Sequence, residues 1–205
     1  MTARNPLRSA ACTAASAMLA LALAAMPAMA ADAIFAVFAN PADGALAVKG
    51  ATADADMARL GALEIDTLDF GIENALVIDP ADGALGPGRP SFMTLTMTLA
   101  LGPGVPALLQ TSAAGGHYGD VTLHLRKDGG SVDYTTLSLK VVAVGRVEIS
   151  ASGGSPPQAT VDLTYGSMKL DVYPQDASGA VAKTPETGQW NAMTGAADYA
   201  TVPKP

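Results

Sequence analysis

The sequence predicts an all-β protein that is built on a curved sheet or barrel and carries one short helix. Apolar and polar residues alternate along several stretches, which is typical of strands with one buried face. In three of these stretches the alternation changes phase, which indicates a bulge or a strand that passes from one sheet to another. Three such changes favour a curved sheet or barrel over a flat sheet.

The strands follow from this pattern in chain order. The predicted strands occupy residues 34–38, 63–72, 93–101, 121–126, 132–141 and 161–172. In the predicted strand 132–141, the last two residues expected to face inward are Leu139 and Val141. The third phase change falls at Gly166, within the predicted strand 161–172. In the third strand the residues predicted to face inward are Met93, Leu95, Met97, Leu99 and Leu101.

The remaining segments are predicted to be helix, loop or tail. Pro106 is suited to a first helical turn, and Gly115 ends the helix after residue 114. Residues 53–60 fit a single helical turn. The six residues PADGAL occur twice, at 41–46 and 80–85, and we interpret them as two independent turns because their surroundings differ. The segments predicted to be irregular are 79–90, 151–158, 177–189 and the C-terminal tail 194–205.

The first 30 residues predict a secretory signal peptide, so that the domain begins at residue 31. Arg4 and Arg8 precede an apolar run, and Ala28-Met29-Ala30 fits the small-x-small pattern of a cleavage site before Ala31. An uncleaved anchor is the alternative, although the run is shorter than the ~20 apolar residues that cross a bilayer. Translation from Met29 would instead give a cytoplasmic start. After cleavage no membrane insertion is expected.

Composition excludes some partners. Without Arg4 and Arg8 the chain has 10 basic and 19 acidic residues, a net charge of −9, and it has no basic cluster. Nucleic acid is therefore excluded as a partner, since basic side chains drive binding to phosphate. Cys12 lies in the signal segment, so the mature chain contains no cysteine and no disulfide.

We predict no catalytic, cofactor-binding or metal-binding residues, and no cofactor. A zinc site requires three or four ligands, so the two histidines are not interpreted as one. His117 is expected in a turn, and His124 is expected on the surface, across from a neighbouring strand. The acidic pairs Asp54–Asp56 and Asp79–Asp82 lack the ligands of a calcium loop. Trp190 is expected to close one end of the barrel.

The order of short motifs resembles a known family. The motifs are IFAVF at 34–38, EIDTLDFGI at 64–72, SF-x-x-L-T-M-T at 91–98, GGHY at 115–118, V-T-L-H-L-R-K-x-G-G at 121–130, Y-T-T-L-S-L at 134–139, V-x-L-T-Y at 161–165, V-Y-P-Q-D-A-S-G at 172–179 and Trp190. This succession resembles the haemolysin-coregulated proteins, Hcp, which form the tube of type VI secretion systems. The resemblance covers residues 33–193.

The resemblance implies an antiparallel, two-sheet, partly open barrel over residues 31–193 with one helix on its side. It further implies homohexameric rings that stack into a tube, carry effectors and meet spike and sheath components. The loop at 73–90 would contact the neighbouring ring, and no active site is implied. Two features depart from the family: the signal peptide, and the uncharged segment 101–106 in place of a charged one.

Three hypotheses follow from the sequence. The first is that the chain is a structural, self-assembling tube protein with the function of the family. The second is a periplasmic or secreted binding module that reuses the same barrel, as the signal peptide suggests. The third is a secreted hydrolase with carboxylates that converge in space, which a fold alone never establishes.

Overall fold

The computed structural model describes residues 32–75, 90–127, 129–176 and 179–200, together with the backbone of 77–78 and 85–86. The predicted signal peptide and the pair Asp79–Asp82 lie outside the described residues. The elements in chain order are β1 (Asp32–Ala42), α1 (Ala55–Arg59), β2 (Leu63–Ile65), β3 (Thr67–Asp69), β4 (Ile72–Asn74), β5 (Val77–Ile78), β6 (Leu85–Gly86), β7 (Pro90–Phe92), β8 (Leu95–Ala100), α2 (Val105–Ala114), β9 (His117–Lys127), β10 (Asp133–Ser150), β11 (Gln158–Val172) and β12 (Glu186–Asn191).

The main sheet is antiparallel and curls until its two ends meet. Its strand order is β2-β1-β9-β10-β11-β8-β3, and β12 pairs with β11 outside this path. The end strands β2 and β3 are separated in sequence by Asp66 alone, whose backbone N–H donates to the Thr98 carbonyl at 2.8 Å. The predicted change of phase in 63–72 is therefore confirmed, because the chain passes there from one end of the sheet to the other. The all-β, barrel-like fold is confirmed with it.

The core fills the interior of the curved sheet. Strands β8, β9, β10 and β11 present alternate apolar side chains to it, because a pleated strand directs every second side chain to the same face. Helix α2 covers this core with Val105 and Leu108, both fully buried. The predicted helix is confirmed, and Gly115 ends it in the left-handed conformation, with φ of 70°. The largest fully buried apolar side chains are Leu95, Met97, Leu99, Leu108, Leu123, Leu137, Leu139 and Leu163.

A buried hydroxyl pair fixes helix α2 to the sheet. The Tyr118 hydroxyl in β9 donates to the Leu46 carbonyl at 2.8 Å and lies 3.0 Å from the Thr111 hydroxyl in α2. The Leu46 N–H in turn donates to the Thr111 hydroxyl at 3.0 Å. Burial raises the pKa of Tyr118, against the effect of its bond to Thr111, so the phenol stays protonated at neutral pH.

A second, smaller apolar cluster covers the outer face of β1. Phe35 packs there against Met57 and Ala62, which belong to the segment that contains α1. The predicted helical turn is thus confirmed, and Asp54 caps it by accepting from the Asp56 and Met57 N–H groups, both at 2.9 Å. The middle of strand β1, at Phe35 and Ala36, is consequently buried on both of its faces.

Several inward positions predicted at strand ends are wrong. Met93 and Leu101 are exposed, because β8 spans only Leu95–Ala100 and the chain leaves the core before and after it. Val141 is also exposed, whereas Val142 and Val144 are buried. The alternation of buried side chains in β10 changes phase at Val141, which has a φ of 53°. In the register of β10 and β11, Val141 lies opposite Gly166.

The positive φ of Val141 is costly for a β-branched residue. The left-handed conformation costs roughly 1–2 kcal/mol for an L-residue other than glycine. We therefore expect Val141→Gly to raise the free energy of unfolding by about 0.5–1 kcal/mol, measured by urea denaturation. The control is Val172→Gly in β11, because Val172 is 41% exposed and Val141 is 38% exposed. Val172 has no positive φ, so its replacement should destabilise the protein, and equal effects would contradict this reading.

Two segments predicted to be irregular contain strands. The segment 79–90 contains β6, which pairs with β5, and it ends in the first residue of β7, which pairs with β4. We name these four short strands the hairpin arm. Residues 186–189, within the predicted irregular stretch 177–189, belong to β12. The loop prediction for 151–158 is confirmed apart from Gln158, which begins β11.

Candidate assembly surface

Strand β11 has two different neighbours along one side. Residues 158–163 pair with β8, whereas residues 167–172 pair with β12. The change of neighbour from β8 to β12 occurs around Gly166, where the sequence predicted a change of phase in the alternation. A Cβ at Gly166 would lie 2.8 Å from the end of the Met193 side chain, which packs against the glycine from outside the sheet.

The outer edge of β12 is only partly covered. The Asn191 N–H points away from β11, because it donates to the Ala196 carbonyl at 2.9 Å. Since backbone groups alternate in direction along an antiparallel strand, those of Thr187 and Gln189 point the same way. In the part of the chain that the structure describes, no backbone group pairs with them there. Such an edge can accept another strand.

The hairpin arm places four side chains on one of its faces. The register of β4 and β7 sets Ile72 opposite Phe92 and Asn74 opposite Pro90. Residues directly opposite each other in antiparallel strands share a face, and so do residues two apart on one strand. The four residues of this face line one cleft together with residues of β11 and β12.

The space between the arm and β12 is a cleft of about 460 Å³. Its sheet side is formed by Met168, Gly188, Gln189 and Trp190, and a Cβ at Gly188 would meet no atom within 4 Å. We name this feature the arm–β12 cleft. Among the described residues, those that line the cleft carry no charge: Ile72, Asn74, Pro90, Phe92, Met168, Gly188, Gln189 and Trp190.

Three buried polar atoms lack partners among the described residues, and one of them, Trp190 Nε1, belongs to a residue that lines the arm–β12 cleft. Trp190 Nε1, Tyr165 Oη and Ser167 Oγ are buried and make no hydrogen bond to the residues that the structure describes. The Tyr165 ring lies edge-on to Phe92, which lines the cleft, with the ring centroids 6.0 Å apart. Trp190 itself lies within β12 opposite Met168, so the structure places it on a cleft wall formed by a strand.

The hairpin β9–β10 holds a buried charge cluster that the sequence did not reveal. Arg126, which is 3% exposed, donates from Nε and Nη2 to Asp133 at 2.8 and 2.6 Å and from Nη1 to Asp54 at 3.3 Å. His124 Nδ1 donates to Asp133 at 2.7 Å, and the guanidinium carbon lies 5.8 Å from the Phe35 ring centroid. His124 does lie across from a neighbouring strand as predicted, but it is largely buried.

The pKa of Asp133 is lowered. Burial alone would raise it, but the hydrogen bonds and charges of His124 and Arg126 outweigh burial and favour the carboxylate. The pKa of Asp54 is also lowered, first by the Met57 N–H and against its desolvation, and further by the Asp56 N–H and Arg126. Both carboxylates therefore stay charged at neutral pH, and their bonds to Arg126 fix α1 to the hairpin.

The other residues considered for metal binding lie apart. His117 begins β9, and its Nδ1 lies 3.2 Å from an Asp43 carboxylate oxygen. Asp56 forms a surface ion pair with Arg59 at 2.7 Å, and Asp54 serves as the helix cap. Among the described residues, no group of three or more His, Cys, Asp or Glu side chains is placed to hold a metal ion.

The uncharged segment 101–106 forms the entry to α2. Gly104 precedes the helix with a φ of 95°, and a Cβ there would lie 2.7 Å from the Leu63 side chain. Glycine is therefore required both by backbone conformation and by packing. The Leu101 N–H donates to the Pro157 carbonyl at 3.0 Å, which holds the segment against the loop between β10 and β11.

The C-terminal residues 192–200 fold back along the sheet. Asn191, fully buried, donates from Nδ2 to Asp198 Oδ1 at 2.9 Å and to the Ala200 carbonyl at 3.1 Å. The Tyr199 ring lies near two ammonium groups, with 5.0 Å from its centroid to Lys140 and 5.9 Å to Lys169. The first part of the predicted tail thus has fixed contacts.

Comparison with known proteins identifies the family. The sequence profile described as "Type VI secretion system effector, Hcp" matches residues 42–172, more than half of the chain. The chain belongs to the Hcp family. A curated relative, Protein hcp1 of Pseudomonas aeruginosa, is 33% identical over 100 residues, which cover 47% of this chain and 62% of the relative. The chain thus matches a little less than two thirds of that relative's length.

Solved structures agree with this Hcp assignment at the level of the fold. One described as a type six secretion system protein has a TM-score of 0.71 and 20% identity, covering 81% of this chain and 99% of its own. Hcp1 from Salmonella typhimurium has a TM-score of 0.61 and 18% identity, covering 80% and 97%. Within the described part of this Hcp chain, no helix is long and apolar enough to cross a membrane.

Proposed function

We propose that this chain is a structural subunit that assembles with copies of itself into homohexameric rings, which stack into the tube of a type VI secretion system. The observation that carries the proposal is the Hcp family match over residues 42–172. The partly uncovered edge of β12 supports it, since unpaired strand edges are docking surfaces. In this role the protein is not an enzyme, and its partners are secretion effectors and spike and sheath components.

The proposal divides the chain into three parts. Residues 31–193 form the barrel domain, and 194–205 form a C-terminal tail. Residues 1–30 form a signal peptide, supported by Arg4 and Arg8, the apolar run and the small-x-small site. This N-terminal pattern favours an alternative function, a periplasmic or secreted binding module that reuses the Hcp barrel.

A native mass spectrum of the protein from each cell compartment tests both functions together. We expect a hexamer, and the mass of the subunit identifies its first residue. A hexamer beginning at Ala30, from cytoplasm or medium, would support the tube function with translation from Met29. A hexamer beginning at Ala31 would support self-assembly after export. A monomer beginning at Ala31 at high concentration would contradict the tube proposal and support the binding module.

A further inference from the structure

Residues 192–200, which we name the C-terminal latch, occupy one end of the β12 edge. The Asn191 N–H donates to the Ala196 carbonyl at 2.9 Å, and the Asn191 carbonyl accepts from the Gly195 N–H at 2.9 Å. In an antiparallel strand the N–H and carbonyl of one residue point to the same side. Both backbone groups that Asn191 would offer to a neighbouring strand are therefore already bonded to the latch.

A strand that pairs along the whole of β12 must displace the C-terminal latch. The residues whose backbone groups face this edge are Thr187, Gln189 and Asn191, and the latch bonds the backbone of Asn191. The Ala197 carbonyl accepts from Gln189 Nε2 at 3.1 Å, so the latch also contacts the side chain at the next position. Paired strands lie about 4.8 Å apart, which is the space that the latch fills at this end.

Polar contacts hold the C-terminal latch to the sheet. The buried Asn191 donates from Nδ2 to Asp198 Oδ1 at 2.9 Å. The centroid of the Tyr199 ring lies 5.0 Å from Lys140 Nζ and 5.9 Å from Lys169 Nζ. Contacts of a cation with an aromatic ring are individually weak, and a segment without a helix or strand opens at a lower free energy than a sheet. The latch can therefore open while β12 stays paired with β11.

We propose that the C-terminal latch closes the β12 edge of the folded subunit against pairing with other strands, and that its opening exposes this edge. Proteins commonly cover an edge strand with a loop, because an open edge is a template for further pairing. Here the cover belongs to the same chain and leaves without unfolding the barrel. The inference goes beyond the proposed function, since it concerns access to the edge and not the contacts within a ring.

Two variants of the full chain open the latch by different routes. Tyr199→Ala removes the ring that lies near both lysines, and Asp198→Ala removes an acceptor of the Asn191 amide. The control is Tyr134→Ala, because Tyr134 is also half-buried but lies at the start of β10, where its phenol is hydrogen-bonded to Asp32. Urea denaturation establishes that each variant folds, and Tyr199→Ala decides the test if Asp198→Ala destabilises the barrel.

The first readout is amide hydrogen exchange at two adjacent residues of β12, at dilutions that dissociate any assembly. The Asn191 N–H faces the latch, whereas the Trp190 N–H faces β11. We expect both latch variants to speed exchange at Asn191 about fivefold or more and to leave Trp190 unchanged. Tyr134→Ala should change neither rate. If Asn191 exchanges no faster in the latch variants than in the wild type, these contacts do not hold a latch and the inference fails.

The second readout is association through exposed strand edges, followed by thioflavin T fluorescence. We expect both latch variants to form thioflavin-positive species at about a tenfold lower concentration than the wild type and Tyr134→Ala. The same onset concentration in all four proteins, or an equal shift in the control, would show that the latch does not protect the edge.

Native mass spectrometry separates this inference from the proposed function. Hexamers are identified by their mass, apart from the thioflavin-positive species. A wild type that stays monomeric at every concentration contradicts the tube function, while the exchange and association results still decide whether the latch closes the edge. A hexameric wild type whose latch variants behave like the control supports the tube function and overturns the latch.

Discussion

Replacing Arg126 with leucine is expected to lower the free energy of unfolding by about 3 kcal/mol or more. The side chain is 3% exposed, and its removal leaves the Asp133 carboxylate without two hydrogen bonds and Asp54 without its cation. Breaking a buried ion pair by removing one partner costs about 3–5 kcal/mol, since the Asp133 carboxylate stays largely buried and keeps only its bond to His124. Urea denaturation at pH 7 measures the difference.

The control for Arg126→Leu is Arg146→Leu. Arg146 also bonds two carboxylates, Glu148 and Asp162, both at 2.8 Å, but its side chain is 55% exposed. Exposed ion pairs contribute about 0–1 kcal/mol, so this substitution should have a small effect. If the two substitutions lowered the free energy of unfolding by similar amounts, burial would not determine what each arginine contributes.

The Arg126 effect should depend on pH in a definite direction. The pKa of Asp133 is lowered in the folded protein, so its contribution is present above the unfolded pKa and is lost as the pH falls through the folded pKa. Protonation of Asp133 also removes the charge that has lost its arginine partner in the Arg126→Leu variant. The difference between wild type and variant should therefore narrow below about pH 4. A constant difference down to pH 2.5, roughly the lower end of carboxylate titration, would show that lost packing dominates.

Replacing Gly50 with alanine is expected to destabilise the protein by about 3 kcal/mol or more. The Gly50 N–H donates to the Gly61 carbonyl at 2.9 Å, which ties together the ends of the segment that covers β1. A Cβ at Gly50 would lie 2.0 Å from the Ala62 carbonyl oxygen and 2.8 Å from the Leu63 nitrogen. Both are backbone atoms, so no side chain can move aside, and β2 would have to shift.

Gly153→Ala is the matched control for Gly50→Ala. It lies in the loop between β10 and β11, where an added Cβ would meet nothing within 4 Å. Its free energy of unfolding should change by no more than about 0.5 kcal/mol, measured by the same urea titration. If Gly50→Ala were equally mild, the close approach of the two backbones would be more adaptable than its geometry indicates.

The sequence predicted strands well where one face is buried and the other is not. Residues 95–99 alternate cleanly, and Leu95, Met97 and Leu99 are all buried. Strand β12 was missed because four of its six residues are exposed and Gly188 weakens the pattern. Its pairing with β11 is a tertiary contact that leaves no periodic signal in ETGQWN.

The buried charge cluster could not be predicted from alternation alone. Alternation puts Arg126 on the polar face of β9, and the residue that helps to cover it, Asp54, lies 72 positions earlier. One signal was present in IFAVF, because a strand that is apolar on both faces requires cover on both sides. Met57 provides the cover over Phe35 that this pattern required. The pattern did not specify which segment of the chain would provide it.

The arm–β12 cleft was equally invisible in the sequence. Its two walls come from residues about 100 positions apart, and only the closure of the sheet brings them together. The resemblance to Hcp proteins predicted the barrel and the helix beside it, yet it did not single out Ile72 or Gly188. Clefts of this kind depend on which side chains are missing as much as on which are present.

The single-residue link between β2 and β3 has a consequence for how the chain reaches its native state. Asp66 joins the two ends of the sheet, so the barrel closes only when β3 finds β8 and β2 finds β1, and β1 in turn pairs with β9 far along the chain. Such a topology has a high contact order, and β proteins of this type fold on a timescale of roughly milliseconds to seconds. Closure also requires most of the chain to have been synthesised. A nascent chain would therefore remain open and threadable through a translocation pore until late in its synthesis.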